Sequence, residues 1–249
     1  MWDDDYHDEY YPQRPERYEV RRVYVLGDPQ GPRLHRIPGK KFSTSPTEIT
    51  HLTIAYIVLV ICFALALTPG SLFIGYFLFD NFIILLPIAF IAVGLGFVLH
   101  EMAHKLTAQH YGYWSEFRYD GRGLMMALFF AVILGFVWAA PGATWVSGNP
   151  SRRENGIMSF AGPAVNMIIA SIFIPLAFVI PVENDYWLYV TLSGFIIAFL
   201  AVFNMLPISP LDGSKVWHWN KGIYILGMIV AVAITAFFGV AFYTTLIFS

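Results

Sequence analysis

Charge is scarce in this chain. Only 13% of the 249 residues are Asp, Glu, Lys or Arg, against 57% hydrophobic ones, and the mean hydropathy is +0.59. Those values lie far outside the range of a soluble domain, so they exclude one and require a bilayer as the surrounding solvent. A net charge of -2 says little about partners, and nucleic acid is not expected among them. Cysteine is nearly absent as well: Cys62 stands alone inside an apolar run, which rules out an internal disulfide and makes it a small buried apolar residue. No apolar stretch opens the chain, so no cleavable signal peptide is expected. No internal repeat is evident.

The few charges are unevenly spread. Residues 1–45 hold eight of the fifteen Lys and Arg and eight of the seventeen Asp and Glu, running from an acidic start (Asp3, Asp4, Asp5, Asp8, Glu9) to a basic end (Arg33, Arg36, Lys40, Lys41). This reads as a cytoplasmic, partly disordered tail whose basic part lies near lipid headgroups. Arg21 to Leu26, followed by Gly27-Asp28-Pro29, reads as a short strand and turn. Residues 46–249 form the membrane domain. Its apolar segments run from about Ile49 to Leu67, Phe82 to His110, Leu124 to Val146, Gly156 to Ile180, Tyr186 to Leu206 and Gly222 to Phe248. Each is long enough to cross about 30 Å of hydrocarbon. The fold class is therefore an all-α polytopic membrane protein with about five to six transmembrane helices.

Orientation follows from where Lys and Arg are missing. The links after the first and fourth segments contain Asp80, Glu183 and Asp185 but no cation, whereas Arg118, Arg122, Arg152, Arg153, Lys215 and Lys221 lie in the others. The third segment thus begins and ends on the same, cytoplasmic, side. A single crossing cannot do that, so residues 123–147 are expected to dip in and return as a re-entrant helix or hairpin. The break falls at Ala140-Pro141-Gly142-Ala143, and Thr144-Trp145-Val146 reads as strand. Irregular backbone at membrane depth is tolerated against protein or a wet cavity; the segment should line the site, with a strand edge able to receive an extended peptide.

The chemistry is concentrated at His100-Glu101-Met102-Ala103-His104. Histidines at i and i+4 of a helix share a face and can bind one Zn²⁺, while Glu101 can accept a proton from water activated there. Ionisable groups at such depth are costly unless functional or partnered. A catalytic zinc needs a third protein ligand. Asp212 is the candidate: it follows the fifth segment in a Pro-rich turn, Asn204 to Gly213, that ends at the depth of the histidine pair, with Pro207 and Pro210 bending the chain and Gly213 permitting a close approach. His51, His110 and His218 read as interfacial, Trp217 and Trp219 as an aromatic anchor, Met125 and Met126 as packing, and Gly94 and Gly96 as sites of close helix contact or local opening.

Three motifs, His100-Glu101-Met102-Ala103-His104, Ala161-Gly162-Pro163-Ala164-Val165-Asn166 and Asn204 to Gly213, together resemble the site-2 proteases, intramembrane zinc metalloproteases, across roughly residues 49–215. The minimal prokaryotic, archaeal type is the nearest, since neither a PDZ-like nor a CBS pair of domains fits this length. The resemblance implies His100, His104 and Asp212 as zinc ligands, Glu101 as general base, and transmembrane proteins as substrates. It departs at Ala103, where many members have Gly, and does not cover residues 1–45. Asn166 and Asn204 are candidates for stabilising the oxyanion or positioning substrate, or else for satisfying backbone groups at the proline breaks. Two other classes remain open: a membrane protein binding zinc or haem without turnover, and a metal transporter, which should show more intramembrane carboxylates.

Overall fold

The computed structural model describes residues 19–23, 33–37, 42–68, 70–71, 76–77, 79–138 and 141–248. Most of the segment 1–45 therefore lies outside the described residues. Within it, strands β1 (Glu19–Val23) and β2 (Arg33–Ile37) pair antiparallel, so the strand expected near Arg21 is present with its partner ten residues on.

Helix α1 (Pro46–Leu67) starts where its sequence dictates. The Ser45 side chain accepts from the Glu48 N–H, and Pro46 occupies the first turn, where its missing N–H costs nothing. A minor ladder, β3 (Gly70–Ser71) with β4 (Tyr76–Phe77), follows. Helix α2 (Phe79–Val93) passes through a π-helical turn at Gly94–Val98 into α3 (Leu99–His110). The glycines there are packing sites: a Cβ on Gly96 would lie 2.9 Å from Leu200 and one on Gly94 3.3 Å from the Tyr56 hydroxyl. Then come β5 (Trp114–Tyr119), α4 (Gly121–Leu134), β6 (Gly142–Ser147), α5 (Arg152–Val179), α6 (Asp185–Asn204), α7 (Asp212–Trp219) and α8 (Lys221–Phe248). A reciprocal capping box, Ser151 with Glu154, opens α5. Among the described residues five helices are long and apolar enough to cross a membrane, namely Pro46–Leu67, Asp80–His110, Arg152–Val179, Tyr186–Asn204 and Lys221–Tyr243. The protein is a multi-pass, all-α membrane protein.

Residues 123–147 do dip and return. Helix α4 has 14 residues, about 21 Å, too short to cross about 30 Å of hydrocarbon. It lies along α1, and its C-cap Gly135, at φ 61°, reaches the far end of α1 beside Ala66. The returning chain runs along α6, with Phe136 edge-on to Phe199 and Trp138 edge-on to Phe203 at 5.8 and 5.4 Å. By Pro141 it is back at its origin, where the Asp120 N–H donates to the Pro141 carbonyl at 2.9 Å. β6 then pairs antiparallel with β5, Tyr119 opposite Gly142. Met125 and Met126, expected to pack, are instead 67% and 49% exposed on the outer face of α4.

A buried ion pair ties the start of α1 to the histidine helix. Lys105 and Glu48 are 0% and 1% exposed and form a salt bridge. Lys105 also donates to Thr44 Oγ1 at 2.8 Å, its ammonium sits 4.9 Å over the Phe42 ring, and Glu48 Oε1 accepts from the Phe117 N–H at 3.1 Å. Breaking such a pair costs far more than replacing it whole. Glu48→Leu is expected to lower unfolding stability by about 3–5 kcal/mol, and Glu48→Leu with Lys105→Met to recover most of that loss. Chemical unfolding of the three proteins in detergent checks this; equal losses in single and double variants would contradict it. Sequence reading missed the pair because nothing local distinguishes Lys105 from a helix-surface lysine.

Candidate metal centre

Helix geometry places His100 and His104 one turn apart on the face of α3 that meets α5. Both are buried, at 3% and 8% exposure, and so is Asp212 at 8%. His104 Nε2 lies 3.0 Å from His100 Nε2, and Asp212 Oδ2 lies 3.2 Å from the former's partner ring at His100 and 2.9 Å from His104. A tetrahedral ion about 2.0–2.1 Å from each donor would hold them roughly 3.3 Å apart, so this triangle fits one. Its rings are presented correctly too: His104 Nδ1 stands 2.7 Å from the Met158 carbonyl, directing Nε2 inward.

The backbone around the triangle explains its sequence. Gly162, on α5, has no Cβ because one would lie 2.5 Å from His104 Nε2 and 2.6 Å from His100 Nε2. The next residue, Pro163, has no N–H to give the Ser159 carbonyl. Gly213 brings the start of α7 against the end of α6; a Cβ there would lie 2.1 Å from the Met205 carbonyl oxygen. That close approach is what turns Asp212 back towards α3. Asp212 Oδ1 also lies 3.6 Å from the Lys215 ammonium.

Glu101 is buried beside the donors, with a carboxylate oxygen within 4.8 Å of both histidine ligand atoms. Its Oε2 accepts from the Thr144 hydroxyl of β6 at 2.8 Å. Thr144 was legible only as a strand residue. A cavity of about 130 Å³ opens over this group, lined by Glu101 and both histidines, by Thr144 and Pro141 of the returning segment, and by Asn204. The side chain of Asn204 donates to the Leu200 carbonyl at 3.0 Å. Asn166 is fully buried and lies outside that lining. His51 and His218 have other partners: His51 accepts from the Tyr119 N–H, and His218 pairs with the Ser214 carbonyl. Trp217 and Trp219 fasten α7 rather than merely anchoring it, Trp217 edge-on to Tyr224 of α8 and Trp219 against Gly156 of α5.

A helical membrane core that brings together two histidines, a carboxylate and a separate buried glutamate has the donor types of a zinc site. Comparison with known proteins agrees. The chain is 39% identical over 187 residues to a protein of Methanocaldococcus jannaschii provisionally named a zinc metalloprotease, covering 74% of this chain and 90% of that one. It is 30% identical over 133 residues to a second, Rip2 of Mycolicibacterium smegmatis, also provisionally named a zinc metalloprotease, covering 48% of this chain and 51% of that one. The chain belongs to the family of these zinc metalloproteases. No protein-family model matches the sequence. No solved structure matches it either.

Proposed function

We propose that the protein is an intramembrane zinc endopeptidase that hydrolyses peptide bonds of transmembrane substrate proteins. The observation that carries this reading is the convergence of His100, His104 and Asp212, from segments more than a hundred residues apart, at 2.9–3.2 Å from one another beside a fourth buried group, Glu101, that is not needed as a ligand. Zinc held there supplies Lewis acidity, polarising the scissile carbonyl and acidifying the attacking water. Glu101 accepts the proton of that water and returns it to the leaving amine. The Thr144 hydroxyl keeps the Glu101 carboxylate facing the cavity during both transfers. Asn204 has a second amide hydrogen beyond the one given to Leu200, available to the oxyanion.

The substrate must be locally extended for its carbonyl to reach Glu101, and β6, paired with β5 along one edge, offers the other edge to such a segment. The domain 46–249 carries the activity, in a cell membrane with the N-terminus cytoplasmic, and segment 1–45 is the soluble element available for choosing substrates. A closed structural site, the competing reading, would use four protein ligands, with Glu101 as the fourth donor beside the three.

The test is reconstitution of purified protein into vesicles with a panel of single-span substrates. At least one is expected to be cut inside its membrane segment, with activity removed by a zinc chelator and restored by added zinc. Zinc bound at one equivalent with no substrate cut would favour the non-enzymatic reading.

A further inference from the structure

Four buried side-chain atoms among the described residues have no hydrogen-bond partner: His100 Nδ1, Asn166 Nδ2, Asn166 Oδ1 and Ser147 Oγ. Three of the four belong to two residues on α3 and α5, the helices that pack together around the donor triangle. The contrast between the two histidines is informative. His104 has its far nitrogen fixed by the Met158 carbonyl, whereas the far nitrogen of His100 meets no protein group. A histidine that binds a metal almost always gives its other ring N–H to a carbonyl, a carboxylate or a water, which sets its tautomer.

Helix register says which turns of the two helices stand level. Met158 faces His104, and Gly162, one turn further along α5, faces the Nε2 atoms of both rings. As α5 advances, α3 recedes towards its start, so the next turn of α5, at Asn166, lies at the level of His100 and the π turn before it. Asn166 is 0% exposed with both ends of its carboxamide unpaired. It is outside the lining of the cavity that holds Glu101. A buried polar pair of this kind is where an ordered water is expected, since such waters collect otherwise unsatisfied groups.

We propose that Asn166 is a positioning residue for His100: through one buried water its Oδ1 receives the Nδ1–H of His100, holding the imidazole with its Nε2 lone pair towards the ion. This rests on the zinc reading above but assigns Asn166 a task distinct from contact with substrate.

The test uses the full-length protein in detergent, with zinc affinity measured by competition against a chelator of known affinity, and with the absorption spectrum of the cobalt-loaded protein as a second readout. Asn166→Leu is expected to weaken zinc binding roughly 10- to 100-fold and to shift the cobalt bands, while the metal-free protein stays folded because leucine is close to asparagine in size and needs no buried partner. Asn166→Asp, which still accepts from the ring, should restore affinity to within about threefold of wild type and the cobalt bands with it. Zinc binding and a cobalt spectrum unchanged in Asn166→Leu would overturn the proposal. So would a loss of affinity in both variants that merely follows a lowered melting temperature. Wild type that binds no zinc would instead bring down the zinc reading itself, and this inference with it.

Discussion

Glu101→Gln is expected to lower cleavage roughly 100- to 10,000-fold, the range that general acid–base catalysis contributes, while leaving one zinc bound. The substitution is nearly isosteric, and an amide oxygen can still accept from Thr144, which holds Glu101 at 2.8 Å, so the cavity keeps its shape. What is lost is, among the described residues, the one buried carboxylate beside the donors that is not itself within 3.2 Å of an imidazole nitrogen. Zinc content and the rate of substrate cleavage in vesicles, measured on the same preparation, separate the possibilities. Cutting at the wild-type rate would remove Glu101 from proton transfer. Loss of zinc would make it a ligand instead, an assignment its nearness to both histidines keeps open to experiment.

Gly162→Ala should abolish both metal binding and activity. The added methyl carbon would stand 2.5–2.6 Å from both Nε2 atoms, close to the place an ion about 2.0–2.1 Å from each must occupy. Relief requires the two rings to turn away or α5 to draw back, and either separates the donors. Zinc affinity is expected to fall at least about 100-fold. Helix propensity works the other way: Ala replaces Gly in a helix with a gain of about 1 kcal/mol. The metal-free protein should therefore remain folded, with helical circular dichroism like that of wild type. Undiminished zinc binding in this variant would show that the ion sits elsewhere than between the three donors.

Much of this site could be read from sequence because its logic is local. A pair of histidines at i and i+4 defines a face whatever surrounds it, and two prolines with an Asp-Gly define a turn. The re-entrant course of 123–147 was legible for a different reason: the side of the membrane on which Arg118, Arg122, Arg152 and Arg153 are placed is a sum over the whole topology, and one segment failed to balance. Contacts that depend on how elements meet were not legible. Thr144 reaches Glu101 only because β6 crosses α3, and Lys105 loses its solvent only because residues 42–48 lie over it. Gly162 was visible as part of a motif, yet its reason, the nearness of both imidazoles, exists only in the assembled helix pair. The exposed Met125 and Met126 misled because apolar residues at a lipid face and in a protein core look alike along a chain.

The wide turn at Gly94–Val98 has a mechanical meaning for the long helix that contains it. An α-helix advances about 100° per residue, so one surplus residue accommodated in a π turn offsets everything after it by that angle relative to everything before. The apolar half, α2, can then keep the azimuth that suits α1 and α6 while the polar half, α3, adopts the azimuth that aims two imidazoles at Asp212. Phase, rather than length or bend, is what this turn adjusts: it uncouples how the rod is seated from where its ligands point.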